Sequence, residues 1–227
     1  MNVPIVYEDN HLLIVEKPVN VPVQKDESKD EDLLTMLKED IKRRYEKPGN
    51  VYLALLHRLD RPVGGAIVFA KTSKAASRMS DLLRRRELVR RYLAVVHGRP
   101  AKKSGLVEHY LWKDKRENKV YVVPPTRKGA KRALLEYDVL QSSEKFSLLS
   151  VKLHTGRSHQ IRVQLAALGC PLYGDQKYGQ SQNKVGQQLA LWSHQLQFIH
   201  PVRKEVFDIR SYPPNEYPWN DFGRIRS

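Results

Sequence analysis

The run His57-Arg58-Leu59-Asp60-Arg61-Pro62-Val63-Gly64-Gly65 sets one carboxylate between two arginines, just ahead of the apolar stretch 66–70. Positive charge nearby favours the ionised form of a carboxyl group, even where its surroundings are partly dry. Such a residue could act as a nucleophile or a base. A turn aspartate held in a structural ion pair has the same composition. Three further constellations could carry chemistry. Arg90-Arg91-Tyr92 opens an apolar run; its tyrosine is either packing or a ring that stacks a base and offers a hydroxyl. In Thr155-Gly156-Arg157-Ser158-His159-Gln160-Ile161-Arg162, the two arginines lie five positions apart, so on a helix they serve different partners. One suits a carboxylate and the other a phosphate. Gly174-Asp175-Gln176-Lys177-Tyr178-Gly179 reads as a plain turn.

Positioning these residues takes several elements. Residues 4–7 and 12–15 read as a hairpin turning at 8–10, with Asn20 suited to a left-handed position after Lys17-Pro18. Leu33, Leu34, Leu37 and Ile41 recur at helical spacing, with acids before them and Lys42-Arg43-Arg44 at the end. A strand over 52–56 leads into the Asp60 segment, and 66–70 forms the next. Thr72 is placed to cap a helix running to about residue 83. Strands are expected at 90–97, 134–140, 146–153, 189–198 and 206–209, with short strand-like pieces between 99 and 132. Residues 160–168 predict a helix stopped by Gly169. Residues 180–188 read as a polar, mobile loop. Hairpins with a few helices indicate an α+β fold with a largely antiparallel sheet.

The 227 residues suffice for one domain of ordinary composition, 41% hydrophobic and 29% charged. Charge is the unusual quantity: 40 Lys and Arg face 25 acids, for a net of +15. That excess points to a polyanionic partner, and nucleic acid is the leading class. No stretch has the roughly 20 apolar residues that cross a bilayer, and no basic amphipathic helix carries an aromatic face, so no membrane partner is expected. The N-terminus lacks a signal-peptide pattern. One cysteine, Cys170, fits a reducing cytoplasm. No zinc-ligand spacing, dinucleotide or Walker loop, or nucleophile elbow occurs, so no metal and no cofactor are expected.

Together these segments resemble the RluA-type RNA pseudouridine synthases. His57-Arg58-Leu59-Asp60 is similar to that family's catalytic signature. Residues 5–18 resemble its opening motif and Arg91-Tyr92-Leu93-Ala94 its tyrosine motif. Residues 154–163, continuing through Gly174-Asp175 and Tyr178-Gly179, resemble its third motif. The likeness spans nearly the whole chain in the family's order. Departures are Val63-Gly64 in the aspartate motif, Asn20 for a common glycine, Gln164 for a common histidine, and Leu191-Trp192-Ser193 for a frequent Leu-His-Ala. The resemblance implies a mixed, largely antiparallel central sheet with flanking helices and a central RNA-binding cleft. It implies one catalytic domain over 1–227, with two lobes about that cleft and no preceding S4-like module.

The same resemblance implies isomerisation of uridine to pseudouridine in ribosomal or transfer RNA, without cofactor or metal, by a chain that works as a monomer. It assigns catalytic roles to Asp60, to Tyr92 as the ring that stacks uracil, and to Arg162 as the partner of Asp60. Arg58, Arg157 and Leu191 would bind substrate, with Arg58 as a wedge and Leu191 as an apolar wall. A catalytically silent RNA-binding or ribosome-assembly protein on the same scaffold is the alternative. An RNA hydrolase is the weaker rival, because metal-dependent cleavage needs clustered carboxylates.

Overall fold

The computed structural model describes residues 3–223 and 225. The chain divides into two compact units, the first formed by Met1–Val89 and Ser193–Ser211, the second by Arg90–Trp192 and Tyr212–Ser227.

In the first unit, β1 (Ile5–Glu8) and β2 (Leu12–Lys17) form the expected hairpin. Asp9 fixes its turn by accepting from the backbone amides of His11 and Leu12 at 2.7 Å. Helix α1 (Leu33–Arg44) starts at Asp32, whose carboxylate accepts from the Thr35 amide, and it buries Leu33, Leu37 and Ile41. The strand expected over 52–56 is shorter, only Ala54–Leu55 (β3). Next comes β4 (Gly64–Ala70), buried along its whole length. It pairs antiparallel with β2 and carries β3 beside that ladder. Such burial explains its unbroken apolar sequence, since neither face meets water.

Helix α2 (Ser73–Arg85) is capped by Thr72, whose hydroxyl accepts from the Ala75 amide at 3.2 Å. It ends at Arg86 in the left-handed region, with φ 63°. Its Ala75, Met79 and Leu82 join Leu12, Ile14, Val68, Leu196 and Phe198 in one apolar core. Each large side chain buried there contributes about 1.5–3 kcal/mol.

Strand β10 (Leu191–Ile199) begins in the second unit and ends in the first, where it lies beside β4 and pairs antiparallel with β11 (Val206–Arg210). Gly65 makes that approach possible. Its φ is +108°, and a Cβ there would stand 2.3 Å from the Ser193 carbonyl oxygen. The Ser193 hydroxyl donates to the Ala66 carbonyl at 2.7 Å.

The second unit is an antiparallel array in the order β5-β9-β8-β6-β7. These strands are β5 (Val89–His97), β6 (Ser104–Asp114), β7 (Lys119–Val123), β8 (Lys131–Ser142) and β9 (Phe146–Leu153). Of the short pieces expected between 99 and 132, Val120–Val123 is found in β7, but the rest of the expectation is corrected. Residues 104–114 form one continuous strand of 11 residues, and β8 starts at Lys131. The segment looks broken in sequence because only Val107 and Leu111 are buried in β6, with polar residues filling the positions between. Helix α3 (Gln160–Ala167) packs Val163 against Leu111, Val120 and Ala133. Gly169 follows it with φ +77°, as the stop signal predicts.

Gly65→Ala combines a strained φ with a backbone clash. It should destabilise the protein by about 3 kcal/mol or more, read as a lowered midpoint in urea unfolding. A midpoint equal to that of the parent would show that β4 and β10 do not need this close approach.

Candidate active site

The Asp60 segment is a tight turn between two buried anchors. The Val63 amide donates to the Asp60 carbonyl at 2.9 Å, while Leu59 and Val63 are buried and Asp60 is half-buried. His57 is also buried, and its Nε2 accepts from the Val68 amide at 3.4 Å. The two flanking arginines are exposed. Arg61 turns to the Asn20 carbonyl at 3.1 Å and to the Asp30 carboxylate. Asn20 adopts the left-handed φ of 65° anticipated for it.

A buried cation beside Asp60 is Lys17, which sequence reading treated as the end of a hairpin and of the opening motif, with no role of its own. Its side chain is fully buried, and its Nζ donates to the carbonyls of Pro18, Val21 and Arg61 at 2.8, 2.7 and 3.0 Å. Burial pulls its pKa down to about 7, with the Asp60 charge opposing that shift. Three acceptors match the three N–H donors of an ammonium, so the geometry is that of the protonated form. Lys17 therefore ties the end of β2 to the backbone that follows Asp60.

In the second unit, Tyr92 is buried on β5 opposite Val151. Arg157 is exposed, and its Nε donates to the Arg132 carbonyl at 3.0 Å. Its backbone amide donates to Gln160 Oε1 at 2.9 Å, and the Gln160 Nε2 donates to the Leu134 carbonyl at 3.1 Å. This pins the segment before α3 to β8. A Cβ on Gly156 would lie 2.9 Å from the Arg90 guanidinium, so a larger residue there would displace the end of that side chain. Leu191 is buried at the start of β10.

Arg162 is 8% exposed and grips Asp175 in a two-point bond, Nε to Oδ2 and Nη2 to Oδ1, both 2.8 Å. Burial by itself raises the Asp175 pKa. The Arg162 hydrogen bonds and charge, with the Lys177 and Tyr178 amides, outweigh that and hold it below the ordinary carboxyl value. Residues 174–179 are thus more than the plain turn read from sequence: they carry a buried ion-pair partner.

Asn183 clamps this turn from the polar loop after it. Its Oδ1 accepts from the Gly174 amide at 2.6 Å and shares a hydrogen bond with His97 Nε2 at 2.8 Å. Its Nδ2 donates to the carbonyls of Leu172 at 3.0 Å and Gly179 at 2.9 Å. The Tyr178 hydroxyl accepts from the Val120 amide at 2.8 Å and shares a hydrogen bond with His159 Nδ1 at 2.7 Å. Asp60 and Arg58 thus belong to the first unit, and Tyr92, Arg157, Arg162 and Leu191 to the second. Gln164, where histidine is common, is fully buried and donates to the Val107 carbonyl at 3.2 Å. Among the described residues, no group of three or more His, Cys, Asp or Glu could hold a metal ion.

A family model described as RNA pseudouridylate synthase matches residues 11–167. The chain belongs to this family. It is 34% identical over 209 residues to an uncharacterized RNA pseudouridine synthase of Bacillus subtilis, covering 89% of this chain and 66% of that protein. It is 32% identical over 209 residues to the ribosomal large subunit pseudouridine synthase C of Buchnera aphidicola, covering 88% of this chain and 64% of that protein. The chain thus spans about two thirds of the length of these relatives. Among solved structures, human RNA pseudouridylate synthase domain containing 4 matches with a TM-score of 0.78 at 25% identity, over 93% of this chain and 88% of that one. The RluA-type resemblance and the α+β fold both hold.

Two measurements probe the buried charges of this synthase-family chain. Lys17→Met leaves three buried carbonyls without their donor and should cost about 3 kcal/mol, seen in urea unfolding; no change would mean that water replaces the ammonium. Asp175→Asn breaks a buried pair and should cost about 3 kcal/mol at neutral pH. The Asp175 pKa is lowered from 3.8 in the fold, so its stabilisation is present above that value and lost as pH falls further. The variant's stability should therefore decline less steeply with acid below about pH 4; parallel acid limbs in the two proteins would remove the charge argument.

Proposed function

We propose that this chain isomerises uridine to pseudouridine within structured RNA, ribosomal or transfer, using Asp60 as its reacting carboxylate. The observation that carries this reading is the half-buried Asp60 in a turn whose backbone Lys17 fixes, within a chain that belongs to the synthase family. The bond from C1′ to N1 of uracil breaks and a bond from C1′ to C5 forms. N1 gains a proton and C5 loses one, so the net change is a rearrangement. That balance needs neither a redox partner nor a group donor, and hence no cofactor.

Asp60 acts on the nucleoside as nucleophile or as base at the sugar. Tyr92 is the ring that stacks the uracil and relays the C5 proton. Arg162, by its place in the third motif, supplies the guanidinium that orients the reacting carboxylate. Its grip on Asp175 supports that role, since a cation whose fork is already fixed loses little freedom when it acts. Arg58 and Arg157, both exposed, suit contacts to RNA, and Leu191 suits the apolar wall against the base.

The target nucleotide must leave its stack, at a cost of a few kcal/mol. The net charge of +15 supplies the phosphate attraction that offsets it. Work as a monomer in the cytoplasm fits this reading. Support for the compartment comes from the one cysteine, Cys170, a buried free thiol, and among the described residues no helix is long and apolar enough to cross a membrane.

Asp60→Asn should lower pseudouridine formation on total cellular RNA by at least about 1,000-fold, the scale seen when a reacting nucleophile is removed, with RNA affinity retained. Mass spectrometry of digested RNA measures the first quantity and filter binding the second. Normal turnover by the variant would remove Asp60 from the chemistry. Absence of pseudouridine with the parent protein on every RNA supplied would favour a silent RNA-binding protein.

A further inference from the structure

The β6–β7 hairpin has two faces. Leu111 and Val120 turn toward α3 and pack with its Val163. Strand alternation points their neighbours Trp112 and Tyr121 the other way. These two rings are opposite each other in the ladder, with centroids 6.3 Å apart and planes tilted by only 32°. Together they make a tilted aromatic floor.

Cations sit over that floor. The Arg127 guanidinium carbon lies 3.9 Å from the Trp112 ring centroid, and the Lys119 ammonium lies 5.6 Å from that of Tyr121. Arg127 is held by consecutive turns, in which its amide donates to the Pro124 carbonyl at 3.1 Å and its carbonyl accepts from the Ala130 amide at 3.0 Å. Residues 112–132 contain eight Lys and Arg against two acids. Both acids are engaged locally: Asp114 accepts from the Arg116 and Glu117 amides, and Glu117 accepts from the Tyr121 hydroxyl. Among the described residues, no carboxylate stands within ion-pair distance of Lys119, Arg127 or Lys128.

Flat rings with unneutralised cations above them are what an unpaired nucleotide strand needs. Bases stack on rings and on guanidinium planes, while the N–H edges meet phosphates. We infer that the outer face of this hairpin is a second RNA-binding surface, taking a single-stranded or looped segment without sequence preference. The Arg127 guanidinium plane backed by Trp112, together with the Tyr121 ring, is its stacking surface, and the N–H edges of Arg127 with Lys119 and Lys128 are its phosphate contacts. A membrane is the poorer occupant, because the rings are half-buried and capped by cations instead of projecting outward.

The inference requires only that the chain meets RNA, so binding tests it independently of turnover. The probe is a fluorescein-labelled 12-nucleotide oligouridine, read by anisotropy at several salt concentrations. Trp112→Leu should weaken binding about tenfold, the value of one stacked base. The pair Arg127→Glu and Lys119→Glu should lower the salt slope by about 1.4, or 0.7 per lost phosphate contact. Lys74→Glu, an exposed reversal on α2, should do neither.

An intrinsic signal reports the stack directly. Trp192 and Trp219 are only 6% and 5% exposed, so quenching of indole emission by unlabelled oligouridine belongs to Trp112 and should vanish in Trp112→Leu. Should that variant fail to fold, Tyr121→Leu and the charge reversals still decide. Unchanged affinity and slope in those variants would overturn the inference. So would equal use of these residues by a 12-base-pair duplex, or by vesicles of anionic phospholipid in place of RNA. Loss of pseudouridine formation in Asp60→Asn with this surface still binding would leave the inference standing.

Discussion

One buried ammonium organises the segment on which the chemical proposal rests. Lys17 gives up water entirely and recovers three carbonyl hydrogen bonds, two from the chain just after β2 and one from the residue following Asp60. A lysine so deep is costly unless every donor is met. Here the matched acceptors fix two loops with one side chain and set a positive charge beside Asp60. Of the exposed arginines on either side of that aspartate, Arg61 turns outward to bind Asp30 and the Asn20 carbonyl.

The second unit solves a similar problem with a different cation. A guanidinium can be held in one plane only by a partner of matching geometry, and Asp175 supplies both oxygens. Asp175 is itself held by the Lys177 and Tyr178 amides, and the turn that carries it is clamped by Asn183. The order of dependence runs from a polar loop, through a turn, to a buried arginine on α3. Glycine is required at the narrowest point, since a Cβ on Gly174 would stand 2.1 Å from the Gln188 carbonyl oxygen.

Most elements were legible because their local signals agree. Thr72 caps as its type predicts, acids precede α1 as expected, Gly169 stops α3, and strands β4, β5, β9 and β10 lie close to where apolar runs place them. The long strand β6 was not legible, because one of its faces is open and its inward positions include polar residues. Asp60, Tyr92 and Arg162 stood out by type and motif. Lys17 and Asp175 lay inside matched segments, yet their roles, like that of Asn183, did not show, for a common reason. Their importance lies in what they bond to, and those partners, mostly turn backbone and for Asp175 also Arg162 on α3, are brought in by geometry that no local pattern encodes. The one available hint was a lysine closing the apolar run 12–15, where a charge is expensive without acceptors.

The way the chain passes between its units bears on how it is made. Strand β4 is buried throughout, yet its neighbour β10 reaches it from far along the chain: the Ser193 hydroxyl bonds to Ala66 across 127 residues. A ribosome therefore emits β4 long before that neighbour exists. Until then a wholly apolar strand has one edge that only the two residues of β3 meet, the kind of surface that recruits other chains. Nascent protein of this architecture has a built-in interval of vulnerability to aggregation, and its yield in a cell depends on what shields that edge while translation catches up.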